Sequence, residues 1–299
     1  MAEFSAADVA LNGFRVVWER PRAALWWAGL QLVFSFAVTA FVAVSAGPAM
    51  TKMTSLGLQP TTDPQVLMGL LRQVLPTYIA LLAASLVFYA VLYAAMNRVV
   101  LKPDESAFGY LRLSSDELRQ LGLFGVFFGM GFAGYIVLLM LTVVLSLLLG
   151  TPMALVILVG MMFVLLIFFG VRFSLASAMT FANQRITVLP AWRLTDGRFW
   201  PLFGTYLLAA ALNLIVIMIS FAIALLATAI LGGGFAGLQA VASQDATTLE
   251  TLISPPRIAY MAVMAIGTAL SFPITMTPPA VIYRALTGGA AGAISRTFA

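Results

Sequence analysis

Six blocks of the sequence, at about residues 23–45, 76–96, 121–149, 153–173, 202–231 and 259–283, hold no Asp, Glu, Lys or Arg before the boundary residue Arg172. A helix needs about 20 apolar residues to cross a hydrocarbon core about 30 Å thick, and every block reaches that length. Water cannot be the solvent for such segments. A soluble domain carries about 25% charged residues, whereas this chain of 299 residues carries 9%, with 62% apolar. Runs such as VLLMLTVVLSLLL (137–149) do not alternate, which sets aside barrel strands. The predicted class is therefore an all-α integral membrane protein, a six-transmembrane-helix bundle forming a single membrane domain over 1–299. Residues 1–22 precede the first block, whose apolar run is longer than the ~7–15 residues of a signal peptide, so an uncleaved span is expected.

The basic residues give these spans a direction. Thirteen of the sixteen Lys and Arg residues fall in the N-terminus, the second–third and fourth–fifth connections and the C-terminal tail. Only Lys52, Arg72 and Arg257 fall on the other side. Short connections rich in Lys and Arg stay in the cytoplasm, so both termini are expected there and the protein is expected to be multi-pass.

The segments before the outward spans share a character. PAWRLTDGRFWPLFG (190–204) places Pro190 where a helix starts and Gly197 where one has just ended. EFSAADVALNGFRVVWERPR spaces Phe4, Ala7, Leu11, Phe14 and Trp18 by three and four residues, opposite Glu3, Asp8, Asn12, Arg15 and Glu19. In YLRLSSDELRQLGLFG, Ser114 or Ser115 is placed to cap a helix that begins with Asp116 and Glu117. In-plane amphipathic segments are predicted at about 4–20, 104–119 and 190–197, with Trp18, Trp26, Trp27, Trp192 and Trp200 as interfacial anchors. The inward spans also end alike, in NRVVL (97–101), VRFSL (171–175) and YRALT (283–287). Three helical-hairpin repeats, each preceded by an in-plane helix, are the expectation, against chance likeness of apolar segments. Outer loops are expected at about 46–75 and 232–258, with short helical patterns DPQVLMGLLRQVL and QDATTLETLI, and a tight turn at GTP (150–152).

The chain has neither Cys nor His. That excludes disulfides, thiolate chemistry and the usual zinc ligands, and it removes the commonest general base. No metal site, no cofactor and no catalytic residue is expected. The positive residues follow membrane topology rather than a stripe, so no nucleic-acid partner is expected either. The candidates that remain are arginines at headgroup level: Arg98, Arg172 and Arg284 at the span ends, with Arg193 and Arg198 in the fourth–fifth connection. They either contact anionic headgroups or reach separately into lipid, and pairing with Asp104, Glu105, Asp116 or Glu117 is a further alternative. The sixth span is interrupted by Pro273, Pro278 and Pro279. Broken helices line some transporter sites, while a kink that serves only packing is the plainer explanation. Small residues at spacing four, Gly125, Gly129 and Ala133 in the third span and Ser220, Ala224 and Thr228 in the fifth, predict packing faces or a dimer interface. Gln31 and Asn213 are placed to bridge helices by hydrogen bonds.

VRFSLA (171–176) and WRLTDGRFWPLFG (192–204) together resemble the glycerophosphoryl diester phosphodiesterase membrane-domain family and related six-span bacterial inner-membrane proteins. The resemblance is clear over about Val171 to Asn213, and the six-span layout extends it weakly. A serine often stands before the tryptophan in such proteins, whereas Ala191 stands here. The resemblance implies membership of a poorly understood group of bacterial inner-membrane proteins, some of them joined to a lipid-headgroup phosphodiesterase. It carries over no catalytic residue, and without His this chain is not expected to hydrolyse a glycerophosphodiester. The expected function is non-enzymatic: organising or handling lipids, or supporting a membrane complex. Membrane lipids are the expected partners, with a homo-oligomer or another membrane protein as further ones. A small-molecule permease using the Pro-broken sixth span, and a structural subunit of an assembly, are the alternatives.

Overall fold

The computed structural model describes residues 5–56, 63–242 and 252–288. Among them there is helix, turn and loop but no strand. The helices are α1 (Ala6–Glu19), α2 (Pro21–Leu56), α3 (Pro64–Leu101), α4 (Ser115–Leu149), α5 (Thr151–Phe173), α6 (Ala176–Asn183), α7 (Leu189–Leu194), α8 (Phe199–Leu231), α9 (Phe235–Ala242), α10 (Pro255–Met276) and α11 (Pro278–Leu286). A single turn of 3-10 helix, Ala107–Tyr110, lies between α3 and α4. Six helical stretches are long and apolar enough to cross a membrane, and each contains one of the six apolar blocks.

Several of these helices outrun their apolar blocks. α3 has 38 residues, about 57 Å at 1.5 Å per residue. The patterns expected in the first outer loop are not separate: 46–56 continue α2 through Pro48, and DPQVLMGLLRQVL leads into α3, which passes through Pro76. A proline costs one backbone bond in the helix, and that loss is tolerated where side-chain packing offsets it. Here Ala46 and Ala49 of α2 pack with Leu70 and Val74 of α3, and Thr77 donates to Ser45 Oγ at 3.1 Å. Most of QDATTLETLI, together with Glu3, Phe4 and Arg296, lies outside the described residues.

The chain forms two compact units. One comprises Met1–Gly13, Tyr89–Ala210 and Ile274–Ala299. In it α4 packs on α5 and α6, α11 packs on α6, and α7 lies against α5 and α6. Leu123, Val171, Leu175, Met179, Leu202 and Ile282 fill its core. α4 turns into α5 at Gly150, where φ is +80°, a conformation that glycine adopts without Cβ strain. α6 sits almost entirely inside this unit, and the hydropathy pattern gave no separate sign of it.

The other unit comprises Phe14–Phe88 and Ala211–Pro273. Phe34 stacks on Phe88 at 3.9 Å between ring centroids. Ser220, Ala224 and Thr228 of α8 are all buried, as packing at spacing four requires. A Cβ at Gly267 of α10 would collide with the Ser220 side chain, so these helices approach as closely as glycine permits. The matching set on α4 behaves differently: Gly125, Gly129 and Ala133 are exposed, and a Cβ at either glycine would meet open space.

The break in the sixth span lies at Thr277, between α10 and α11, while Pro273 lies inside α10. Thr277 keeps helical dihedral angles of −82° and −28°. The chain therefore loses the bonds that Pro278 and Pro279 cannot donate without leaving the helical path.

Candidate functional site

The three arginines that close spans lie in the first unit, where each has its own partners. Arg98, in the last turn of α3, is 1% exposed. Its Nη1 donates to the Tyr110 carbonyl at 2.6 Å. Its Nη2 faces Glu117 Oε1 at 3.0 Å and Asp116 Oδ2 at 3.4 Å, and Glu105 lies 3.7 Å from Nε. Phe181 covers the guanidinium at 5.6 Å. Arg98 is thus closed to headgroups and takes the carboxylate partners instead.

The carboxylates are themselves fixed by the start of α4. Ser114 caps that helix, accepting from the Asp116 N–H at 3.2 Å. The Ser114 N–H and hydroxyl both donate to Glu117 Oε2, at 2.8 and 2.6 Å. Such a capping box satisfies orphan helix donors, and acidic side chains suit a helix N-terminus. Asp116 also receives Arg119 at 2.7 Å and Gln184 at 3.1 Å. One turn away, Asn97 donates to Ser177 Oγ, which donates to Gln120 Oε1, both at 2.9 Å. Asn97, Gln120 and Ser177 were not singled out in the sequence, where the only sign of them was polarity at the edge of apolar blocks.

Arg172 ends α5 in a different setting. Its side chain is 15% exposed, and its Nη1 pairs at 3.0 Å with Asp196, which is 73% exposed. The guanidinium lies 5.0 Å from the Trp192 ring centroid and 5.6 Å from that of Phe168. Trp192 is one of a group of rings with Phe168, Phe169 and Phe173. α7 holds this tryptophan in place because the Thr195 hydroxyl bridges the carbonyls of Arg172 and Trp192, at 3.0 and 2.9 Å. Arg172 Nε is buried and has no hydrogen-bond partner. The arrangement is a cation on an aromatic floor whose only carboxylate partner among the described residues stands in solvent. A phosphate oxygen can compete for such a cation, because exposed ion pairs contribute only about 0–1 kcal/mol.

Arg284 donates to the Val100 carbonyl at 3.0 Å and so caps the end of α3. Arg198 donates to the Leu194 carbonyl at 3.3 Å. Arg193, on α7 beside Trp192, is exposed, and its side chain has no ion pair or hydrogen bond among the described residues. The tryptophans divide as well. Trp18, Trp26 and Trp200 are exposed and Trp192 is half-buried, whereas Trp27 is wholly buried and serves packing rather than anchoring at headgroup level. On α1 the buried residues are Val9, Ala10, Gly13 and Val16, while Leu11, Phe14 and Trp18 stand exposed. No protein-family model, curated protein or solved structure matches the chain.

Proposed function

We propose that this chain is a non-enzymatic, multi-pass protein of the bacterial inner membrane that holds and organises anionic lipids. On this reading both termini and the Arg172–Trp192 site face the cytoplasmic leaflet, where phosphate headgroups are within reach. The observation that carries the reading is the guanidinium of Arg172, set on Trp192 and Phe168 and paired, among the described residues, only with the exposed Asp196. Arg193 adds an unpaired charge on the same short helix. The exposed Leu11, Phe14 and Trp18 of α1 and the exposed Trp200 supply apolar contacts suited to segments lying in the headgroup plane. The three-hairpin arrangement belongs to this proposal too, with Arg98, Arg172 and Arg284 as equivalent span ends put to different uses.

The test is native mass spectrometry of the full chain released from nanodiscs holding phosphatidylglycerol and phosphatidylcholine in equal amounts. Retained phosphatidylglycerol should fall about tenfold in the Arg172→Gln/Arg193→Gln variant, as expected for losing charge-assisted contacts. Unchanged retention in a folded variant removes the proposal.

A second reading, support of a membrane assembly, rests on the exposed Gly125, Gly129 and Ala133 ridge of α4, which another helix can approach closely. It predicts that Gly125→Leu/Gly129→Leu dissociates an oligomer seen in the same spectra. Spectra showing only monomer for the parent chain would remove it. The permease reading has less support, since Thr277, Pro278 and Pro279 at the helix break are all buried.

A further inference from the structure

We infer that Arg257 forms a second, separate binding site, for the phosphate or carboxylate group of a small oxyanion or a lipid headgroup. Arg257 lies in the first turn of α10, within the unit of Phe14–Phe88 and Ala211–Pro273. It is 9% exposed, and its Nη1 is shielded from solvent without a hydrogen-bond partner. Among the described residues it has no ion pair. A buried charge without a partner is among the costliest arrangements a protein can hold, so such a group implies a counter-charge.

The surroundings add positive potential. α9 begins at Phe235, directly after Gly233 and Gly234, whose φ angles are +72° and +81°. α10 begins at Pro255. The two helix starts are held together: a Cβ at Gly232 would collide with Gly237 Cα and lie 3.1 Å from Pro256 Cγ. The Thr228 hydroxyl also reaches the Pro256 carbonyl at 3.5 Å. The N-terminus of α9 carries partial positive charge and orphan N–H groups, which attract anions. α10 adds its dipole but few donors, because Pro255 and Pro256 have no N–H and the Ile258 N–H bonds the Ser254 carbonyl at 3.0 Å. The carbonyls that end α8 already have donors, since Gly232 N–H bonds Thr228 at 2.9 Å and Gly234 N–H bonds Ala229 at 2.7 Å. The starts of α9 and α10 therefore lie close together, with Arg257, whose guanidinium has no ion pair among the described residues, in the first turn of α10. The glycine run 232–234 has no Lys-Ser/Thr after it and is no nucleotide loop; its role is to let α9 begin beside α10.

The test uses the full chain in the Arg172→Gln background, which removes the other arginine site. Unfolding midpoints are read by tryptophan fluorescence, with inorganic phosphate replacing chloride at constant ionic strength. They are read again in nanodiscs of phosphatidylglycerol against phosphatidylcholine. One of the two anions should raise the midpoint by about 5 °C near saturation, and Arg257→Gln should abolish that rise. A response to phosphate identifies a free oxyanion, and a response to phosphatidylglycerol alone identifies a headgroup. No response to either anion, or an equal response in Arg257→Gln, overturns the inference. If Arg257→Gln does not fold, Asp245→Asn/Glu250→Gln decides, because these are the acids in the sequence between α9 and α10. An unchanged anion response in that variant supports the site. A response that appears only when the two acids are neutralised overturns it.

Discussion

Arg98 and Arg172 both end a span, both lie within 6 Å of an aromatic ring and both face carboxylates. They differ in what surrounds the carboxylates. Around Arg98 two of the three, Asp116 and Glu117, are buried at the start of α4, and Glu117 is locked into its cap. Beside Arg172 the one carboxylate partner among the described residues, Asp196, stands in solvent on a turn. The same ion pair therefore does different work in each place. In a dry setting each charge depends on the other, and removing either strands its partner. At a wet boundary the pair is weak and exchangeable. The Arg98 cluster fastens α3, the Tyr110 turn and α4 to one another, while the Arg172 pair stands at the solvent boundary.

The largest effect should come from Arg98→Met, which leaves Glu117 buried without its cation while Asp116 keeps Arg119. The loss should be about 3–5 kcal/mol, read as a fall in the unfolding midpoint or as failure to purify as a folded chain. Behaviour like the parent chain would show that Arg98 is no more fastened than Arg172. Glu117→Gln comes next, since it removes the charge but keeps the shape of the capping box. A loss of about 2 kcal/mol is expected by the same measurement. Arg172→Met should cost only about 1 kcal/mol, from a half-exposed pair and a cation–π contact, yet it should sharply reduce retained phosphatidylglycerol. A large stability loss without a lipid effect would make it a second fastening point. Asp196→Asn should be smallest in stability, within about 0.5 kcal/mol. It should increase phosphatidylglycerol retention by freeing the guanidinium, and a decrease would contradict the open-site picture.

The fold was more legible in the sequence than the difference between these two arginines. Charge-free blocks cannot be satisfied outside lipid, so the six long helices follow from composition and length alone. Ser114 was legible as a cap because Ser-x-x-Glu describes a local bond pattern complete within four residues. Arg98 and Arg172 carry no such local information. Their deciding partners lie 19 and 24 residues away in sequence, on separate elements, and the ring that covers Arg98, Phe181, sits on α6, which the apolar pattern did not distinguish. The two small-residue stripes teach the same point. Spacing four makes Ser220 and Gly125 alike, but only Ser220 has a Gly267 opposite it. The helices run on into the expected outer loop, through Pro48 and Pro76, for a related reason, since packing between α2 and α3 outweighs one missing bond at each proline. Arg257 illustrates the converse, because its single letter looked like a stray outer-side charge and only its burial gives it meaning.

All of this rests on arginine-bearing span ends meeting one side of a bilayer, and the absence of cysteine in the parent sequence makes that directly measurable. Single cysteines at Asn12, Arg185 and Thr151, labelled from outside intact cells with a membrane-impermeant maleimide, report three connections at once. The account predicts that positions 12 and 185 stay unlabelled until the membrane is opened, while position 151 labels at once. Labelling that separates 12 from 185, or groups 151 with them, contradicts it.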